Sequence, residues 1–112
     1  MDKLESYRDI IINILKEEAK VKPSNLPDID IQVITDKEND HYFLYHVGWN
    51  ELDRIHDCIF HLDIIDDKIW IQENNTDEEL STLFLEKGVP KSDIVLGLQP
   101  PYNRKYTEFA IA

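Results

Sequence analysis

Residues Asp57–Asn75 read DCIFHLDIIDDKIWIQENN. Two apolar-rich runs, Cys58–Ile65 and Lys68–Glu73, flank the pair Asp66-Asp67. A two-residue loop fixes the register of a β-hairpin, and aspartate tolerates the left-handed backbone that such a turn needs. That register sets Ile65 opposite Lys68, Ile64 opposite Ile69, Asp63 opposite Trp70, Leu62 opposite Ile71 and His61 opposite Gln72. Side chains alternate faces along a strand. One face therefore carries Cys58, Phe60, Leu62, Ile64, Ile69 and Ile71, all apolar, and the other carries Ile59, His61, Asp63, Trp70 and Gln72. Slipping one strand by a residue would scramble both faces. The mixed face suits contact with something that is itself partly polar.

Working outward, residues 2–20 carry Leu4, Tyr7, Ile11, Ile14 and Leu15 at three- and four-residue steps, the spacing of an amphipathic helix. Asp2 with Glu5 forms an N-terminal capping pair, and Pro23 and Pro27 end the segment in a loop. Ile29–Thr35 alternates as a short strand. His41–Trp49, HYFLYHVGW, is a second strand, apolar or aromatic on both faces and so expected to be central or covered on both sides. Gly48 marks a bulge or a close backbone approach. Arg54–Ile65 and Lys68–Glu73 complete four strands. Thr76 with Glu79 reads as a capping box for a helix over 77–87, closed by Gly88 and Pro90. The tail holds the apolar run Ile94–Leu96, a stiff, extended Pro100-Pro101-Tyr102 arm, and Phe109–Ile111 as an edge strand or docked end. Strands grouped between helices predict an α+β fold, with an antiparallel, meander-like sheet of about four strands, in one domain over 1–112.

The chain has 112 residues with 12 Lys and Arg against 23 Asp and Glu, a net charge of −11. Non-specific nucleic-acid affinity comes from basic side chains neutralising phosphates, so this balance argues against a phosphate-tracking surface. A local basic patch remains available near Lys87, Lys91, Arg104 and Lys105. An acidic surface also speeds encounter with basic proteins. The single cysteine permits no internal disulfide and fits a reducing compartment. No apolar signal core or membrane-spanning run is present, so the expected location is the cytoplasm.

The four histidines, 41, 46, 56 and 61, sit among carboxylates, but His41/His46 and His56/His61 each differ by five residues. On regular strands that spacing puts them on opposite faces, and no recognised metal-ligand spacing occurs, so no metal or cofactor is assigned. Cys58 and His61 differ by three, and Cys58 falls on the apolar face, where a thiol is inert packing. The three glycines are scattered, which excludes a Gly-rich phosphate loop. The aromatics Tyr42, Phe43, Tyr45, Trp49 and Trp70 have acidic neighbours, which favours core and interface use over base stacking.

Asp40-His41-Tyr42 through Val47-Gly48-Trp49, Arg54, and CIFHLDI with KIWIQ resemble the XisI family, the fdxN element excision controlling factors. So do Gly88-Val89-Pro90-Lys91, Asp93-Ile94-Val95-Leu96-Gly97, Pro100-Pro101-Tyr102, Arg104, Thr107 and Phe109, so that the resemblance spans nearly the whole chain. Asp67 departs from it, since glycine is expected there in many relatives. The resemblance implies a control role in programmed DNA excision in cyanobacteria, beside a site-specific recombinase and an XisH-like companion protein. It carries no catalytic residues to transfer.

Together these readings give a non-catalytic controlling factor that works through an XisH-like companion or the recombinase. The candidate interface is His61, Asp63, Trp70, Gln72, Tyr102 and Arg104, and homo-oligomerisation through the same surfaces is open. A direct DNA-binding accessory is the first alternative. A small-ligand or metal-dependent enzyme using His61 and Asp63 is the second.

Overall fold

A computed structural model describes residues 2–112. In chain order it has α1 (Lys3–Glu18), β1 (Ile29–Asp36), β2 (His41–Asn50), β3 (Asp53–Ile65), β4 (Lys68–Asn74), α2 (Leu80–Glu86) and β5 (Ile94–Val95). Short 3-10 helices cover Lys91–Asp93 and Pro101–Tyr106. The sheet has five strands in the order β1-β2-β3-β4-β5, one more than the sequence pattern indicated. The first four form an antiparallel meander, and β5 joins β4 in parallel after the α2 crossover. The fold is α+β. The extra strand is only two residues long, too short to show a periodicity of its own.

The β3–β4 hairpin has the expected register from Ile65↔Lys68 to Leu62↔Ile71. Asp66 and Asp67 both adopt positive φ, 52° and 64°, as a type I′ turn requires. Beyond Leu62 the register shifts, so His61 faces Glu73 rather than Gln72. A second shift lies between β2 and β3: Leu44 pairs with Phe60 but Tyr45 pairs with Cys58, leaving Ile59 as an extra residue. Directly opposed residues share a face, so this bulge turns Cys58 off the apolar face and onto the side of Tyr45. It also places His56 and His61 on the same face, against the simple count of five residues.

The apolar face of the sheet is covered by α1 and α2. Tyr7, Ile11, Ile14 and Leu15 of α1 are buried against Tyr42, Leu44, Phe60, Leu62, Ile69 and Ile71, with Leu80 and Phe84 of α2 beside them. Each such side chain withdrawn from water contributes about 1.5–3 kcal/mol. Polar contacts fix where α1 lies. Asp2 caps it by accepting from the Leu4 amide at 3.0 Å, while Glu5 turns outward to Arg8 instead of completing a capping box. Arg8 reaches Asp40 through Nε at 2.8 Å and Nη2 at 3.1 Å, and the buried Tyr42 hydroxyl donates to the same carboxylate at 2.8 Å. Asp93 similarly accepts from Tyr7 and pairs with Lys3.

Two further expectations are corrected. The second helix starts at Leu80, without a capping box, because the Thr76 hydroxyl accepts from the Glu78 amide and donates to Asn74 Oδ1. Its far end follows the sequence: Gly88 has φ 94° and donates to Leu85, and Val89 donates to Phe84, a Schellman closure. The Pro-Pro-Tyr arm is not extended, because Pro101–Tyr106 winds into a 3-10 helix. Strand β2 is internal to the sheet, as expected, and the helices cover one of its sides, with Phe43, Tyr45 and Val47 half-buried on the other. Gly48 is a close approach: a Cβ there would lie 2.8 Å from the Asp28 carbonyl oxygen.

Two expectations follow. Asp67→Gly removes a side chain from a left-handed position and should stabilise the protein by about 1 kcal/mol, read as a higher urea midpoint at unchanged slope. The hydrogen bonds from Arg8, ahead of all other influences, hold the Asp40 carboxyl below its ordinary range. A carboxyl lowered on folding contributes stability above its unfolded pKa of about 3.9 and loses it as pH falls through the folded value. Arg8→Gln should therefore lower the urea midpoint at pH 7, with the gap to the parent closing below about pH 4.

Candidate functional site

The sheet face away from the helices carries the functional candidates. It is only partly covered, because the tail crosses β4 and β5 and leaves β1–β3 open. Over the covered part, Ile94 packs into the helix-side core while Val95, paired with Trp70, is buried beneath the tail. Ala110 returns to bridge Val95, its amide donating to the Ile94 carbonyl at 2.8 Å. Gly97 lets the backbone lie flat on β4: a Cβ there would meet Gln72 Oε1 at 2.5 Å and the Trp70 ring at 3.0 Å. Arg104 then folds over Trp70, with its guanidinium carbon 5.0 Å from the ring centroid, and donates to the Gln99 and Gly97 carbonyls.

At the border between covered and open regions sits Asp63, 5% exposed. His41 opens β2, and the register makes it the direct partner of Asp63 on β3. His61 precedes Asp63 by two residues on the same face. Asp63 Oδ1 accepts from His41 Nδ1 at 2.7 Å and from His61 Nε2 at 2.9 Å, while Oδ2 accepts from Gln72 Nε2 at 3.1 Å. The His61 ring stacks on Phe43 with centroids 4.3 Å apart. The Asp63 hydrogen bond, ahead of nearby Asp36 and Asp40, raises the His41 pKa above its ordinary value. Along the open face the row continues through Tyr45 and His56, their centroids 5.4 Å apart, to Trp49 beneath Arg54.

Of the residues singled out from sequence, His61, Asp63 and Gln72 therefore form one hydrogen-bonded group. Trp70 and Arg104 form a second, in which both side chains are engaged within the chain. Trp70 stays half-buried, and its indole N–H is buried without a partner among the described residues. Tyr102 belongs to neither group and projects from the 3-10 helix at 75% exposure. His41 was missed because its link to Asp63 is a cross-strand register. That signal was present in principle, since pairing Leu44 with Phe60 on the apolar face sets His41 opposite Asp63.

Cys58 shares the open face with His56, but no histidine or carboxylate among the described residues hydrogen-bonds its thiol. Its thiol contacts the Phe60 carbonyl, and burial, reinforced by Glu73, pushes its pKa up. A thiol held protonated is a poor nucleophile. His46 faces the helix side, where burial lowers its pKa. Of the four basic residues that left a local patch open, Lys91 pairs with Glu108 at 3.5 Å and Arg104 lies over Trp70. Among the described residues, no helix is long and apolar enough to cross a membrane.

Comparison with known proteins agrees with this fold. A crystal structure of a XisI-like protein from Anabaena variabilis ATCC 29413 superposes with a TM-score of 0.91 at 42% identity, covering 97% of this chain and 99% of that one. The fdxN element excision controlling factor XisI from the same organism superposes with a TM-score of 0.86 at 38% identity, covering 99% and 100%. No curated protein matches the chain. The family described as XisI protein matches residues 1–111, and the chain belongs to that XisI family.

Proposed function

We propose that this chain is a non-catalytic controlling factor for programmed excision of a DNA element, and that it acts by binding a protein of the excision machinery. Family membership supports the excision context, as does likeness to a protein described as an fdxN element excision controlling factor. The observation that carries the mode of action is the open half of the sheet. Phe43, Tyr45, His56, His61 and Trp49 present an aromatic row on a chain of net charge −11. Aromatic side chains are enriched at protein interfaces, and an acidic chain attracts a basic protein while repelling bare phosphate. The favoured partner is the XisH-like companion, with the recombinase second, and the setting is the cytoplasm.

Within this reading His61, Asp63 and Gln72 form the polar edge of the contact surface, and Tyr102 supplies an exposed flank. Trp70 and Arg104 act indirectly, by holding the tail that borders it.

Co-expression with the XisH-like companion, followed by size exclusion with light-scattering mass, tests the reading. A stable mixed complex is expected, and Tyr45→Ala and Trp49→Ala should each weaken it by about 1–3 kcal/mol while leaving the urea midpoint of the free chain nearly unchanged. Two separate peaks would remove the proposed mode of action. DNA binding by this chain alone, falling steeply with added salt, would replace it with direct nucleic-acid contact.

A further inference from the structure

We propose that His41, His61 and Asp63 form a binding site for one divalent transition-metal ion of the zinc class. His41 Nδ1, His61 Nε2 and a carboxylate oxygen of Asp63 all lie within 4.8 Å of one another. Bond lengths of about 2.0–2.1 Å in a tetrahedral zinc site put neighbouring ligand atoms about 3.3 Å apart. The observed nitrogen-to-oxygen distances are 2.7 and 2.9 Å. Movement of each nitrogen away from the oxygen by about half an ångström, with the two nitrogens, now within 4.8 Å of one another, brought to the same spacing, would admit an ion in place of the two imidazole protons.

The three ligands come from regular, paired strands. A cross-strand partner and a residue two positions away on the same face define three corners of one small patch. The surroundings do what outer partners of a metal site do. Gln72 holds the second oxygen of Asp63, and Phe43 fixes the plane of the His61 ring by stacking. The charge balance points the same way. Asp63 is a buried carboxylate whose partners are two imidazoles and an amide, with no lysine or arginine among its contacts in the described residues. Asp36, paired across from His41, adds negative charge at the rim. A cation on the imidazole side would meet this carboxylate directly.

The donor set selects the ion. Two imidazole nitrogens and one carboxylate oxygen suit zinc and its first-row neighbours, whereas calcium and magnesium take all-oxygen sites. Asp63 forms the floor, while the His41 side chain is 48% exposed and leaves the remaining coordination positions open to solvent. This inference rests on the geometry of the cluster and is independent of the excision reading.

The full chain without a polyhistidine tag, stripped by a chelator, should be titrated with Zn2+ by calorimetry and with Co2+ by visible absorption. Expected are about one equivalent bound with micromolar or tighter affinity, a raised melting temperature, and cobalt absorption typical of nitrogen and oxygen ligands. His41→Ala changes a half-exposed side chain and should still fold. It should weaken binding by roughly a hundredfold, and Gln72→Ala by roughly tenfold. His46→Ala, on the opposite face, should leave binding unchanged. No heat and no cobalt spectrum at about 100 μM metal would overturn the proposal and leave a hydrogen-bonded His-Asp-His group. Binding that survives His41→Ala but is lost in His46→Ala would overturn it by placing the ion elsewhere.

Discussion

The fold depends on laying one helix along one face of an antiparallel sheet. The apolar stripe of α1 supplies most of the adhesion, but a stripe of Ile and Leu can slide. What fixes the helix is charge near its first turns, with Arg8 held by Asp40 and Lys3 and Tyr7 held by Asp93. Asp40 is suited to the task because it closes the β1–β2 turn with positive φ, and its carbonyl accepts the Ile64 amide of β3 at 3.1 Å. One residue thus joins the helix, the turn and a third strand. Burial drives the association, and a few buried polar contacts choose its geometry.

With both helices spent on one face, the other has only the tail to cover it. The tail reaches β4 and β5 and stops short of β2 and β3. This division explains the mixed composition of the hairpin's second face. Trp70 is there to be roofed, Asp63 to be shielded, and the aromatics of β2 to remain partly in water. Asp63 would be costly in a core, but at this border it finds partners in His41, His61 and Gln72.

Much of the architecture was legible because it rests on local rules. The hairpin register followed from the two-residue turn, the α1 stripe from its periodicity, and the end of α2 from Gly88 and Val89. What escaped notice were features set by pairing over distance. The bulge at Ile59 turned Cys58 and His56 to the other face, and nothing in the run IHDCIF announces an extra residue. Strand β5 is defined by what it lies against. The start of α2 moved because the Thr76 hydroxyl was already occupied. The site divides the same way: His61 and Asp63 are neighbours along one strand and could be read directly, whereas His41 required the β2–β3 register.

The two kinds of strand pairing also bear on how the molecule assembles. Strands β1 to β4 are joined by short turns, so each pairing closes a small loop and loses little chain entropy. Strand β5 must wait for α2 to cross over, and its ladder to β4 is only the pairs Ile69↔Ile94 and Trp70↔Val95. Local pairings form quickly and distant ones slowly, so the topology favours forming the meander before β5 and the tail dock. Trp70 therefore gains its cover only once the crossover is complete, from a short ladder, the Ala110 bridge and Arg104.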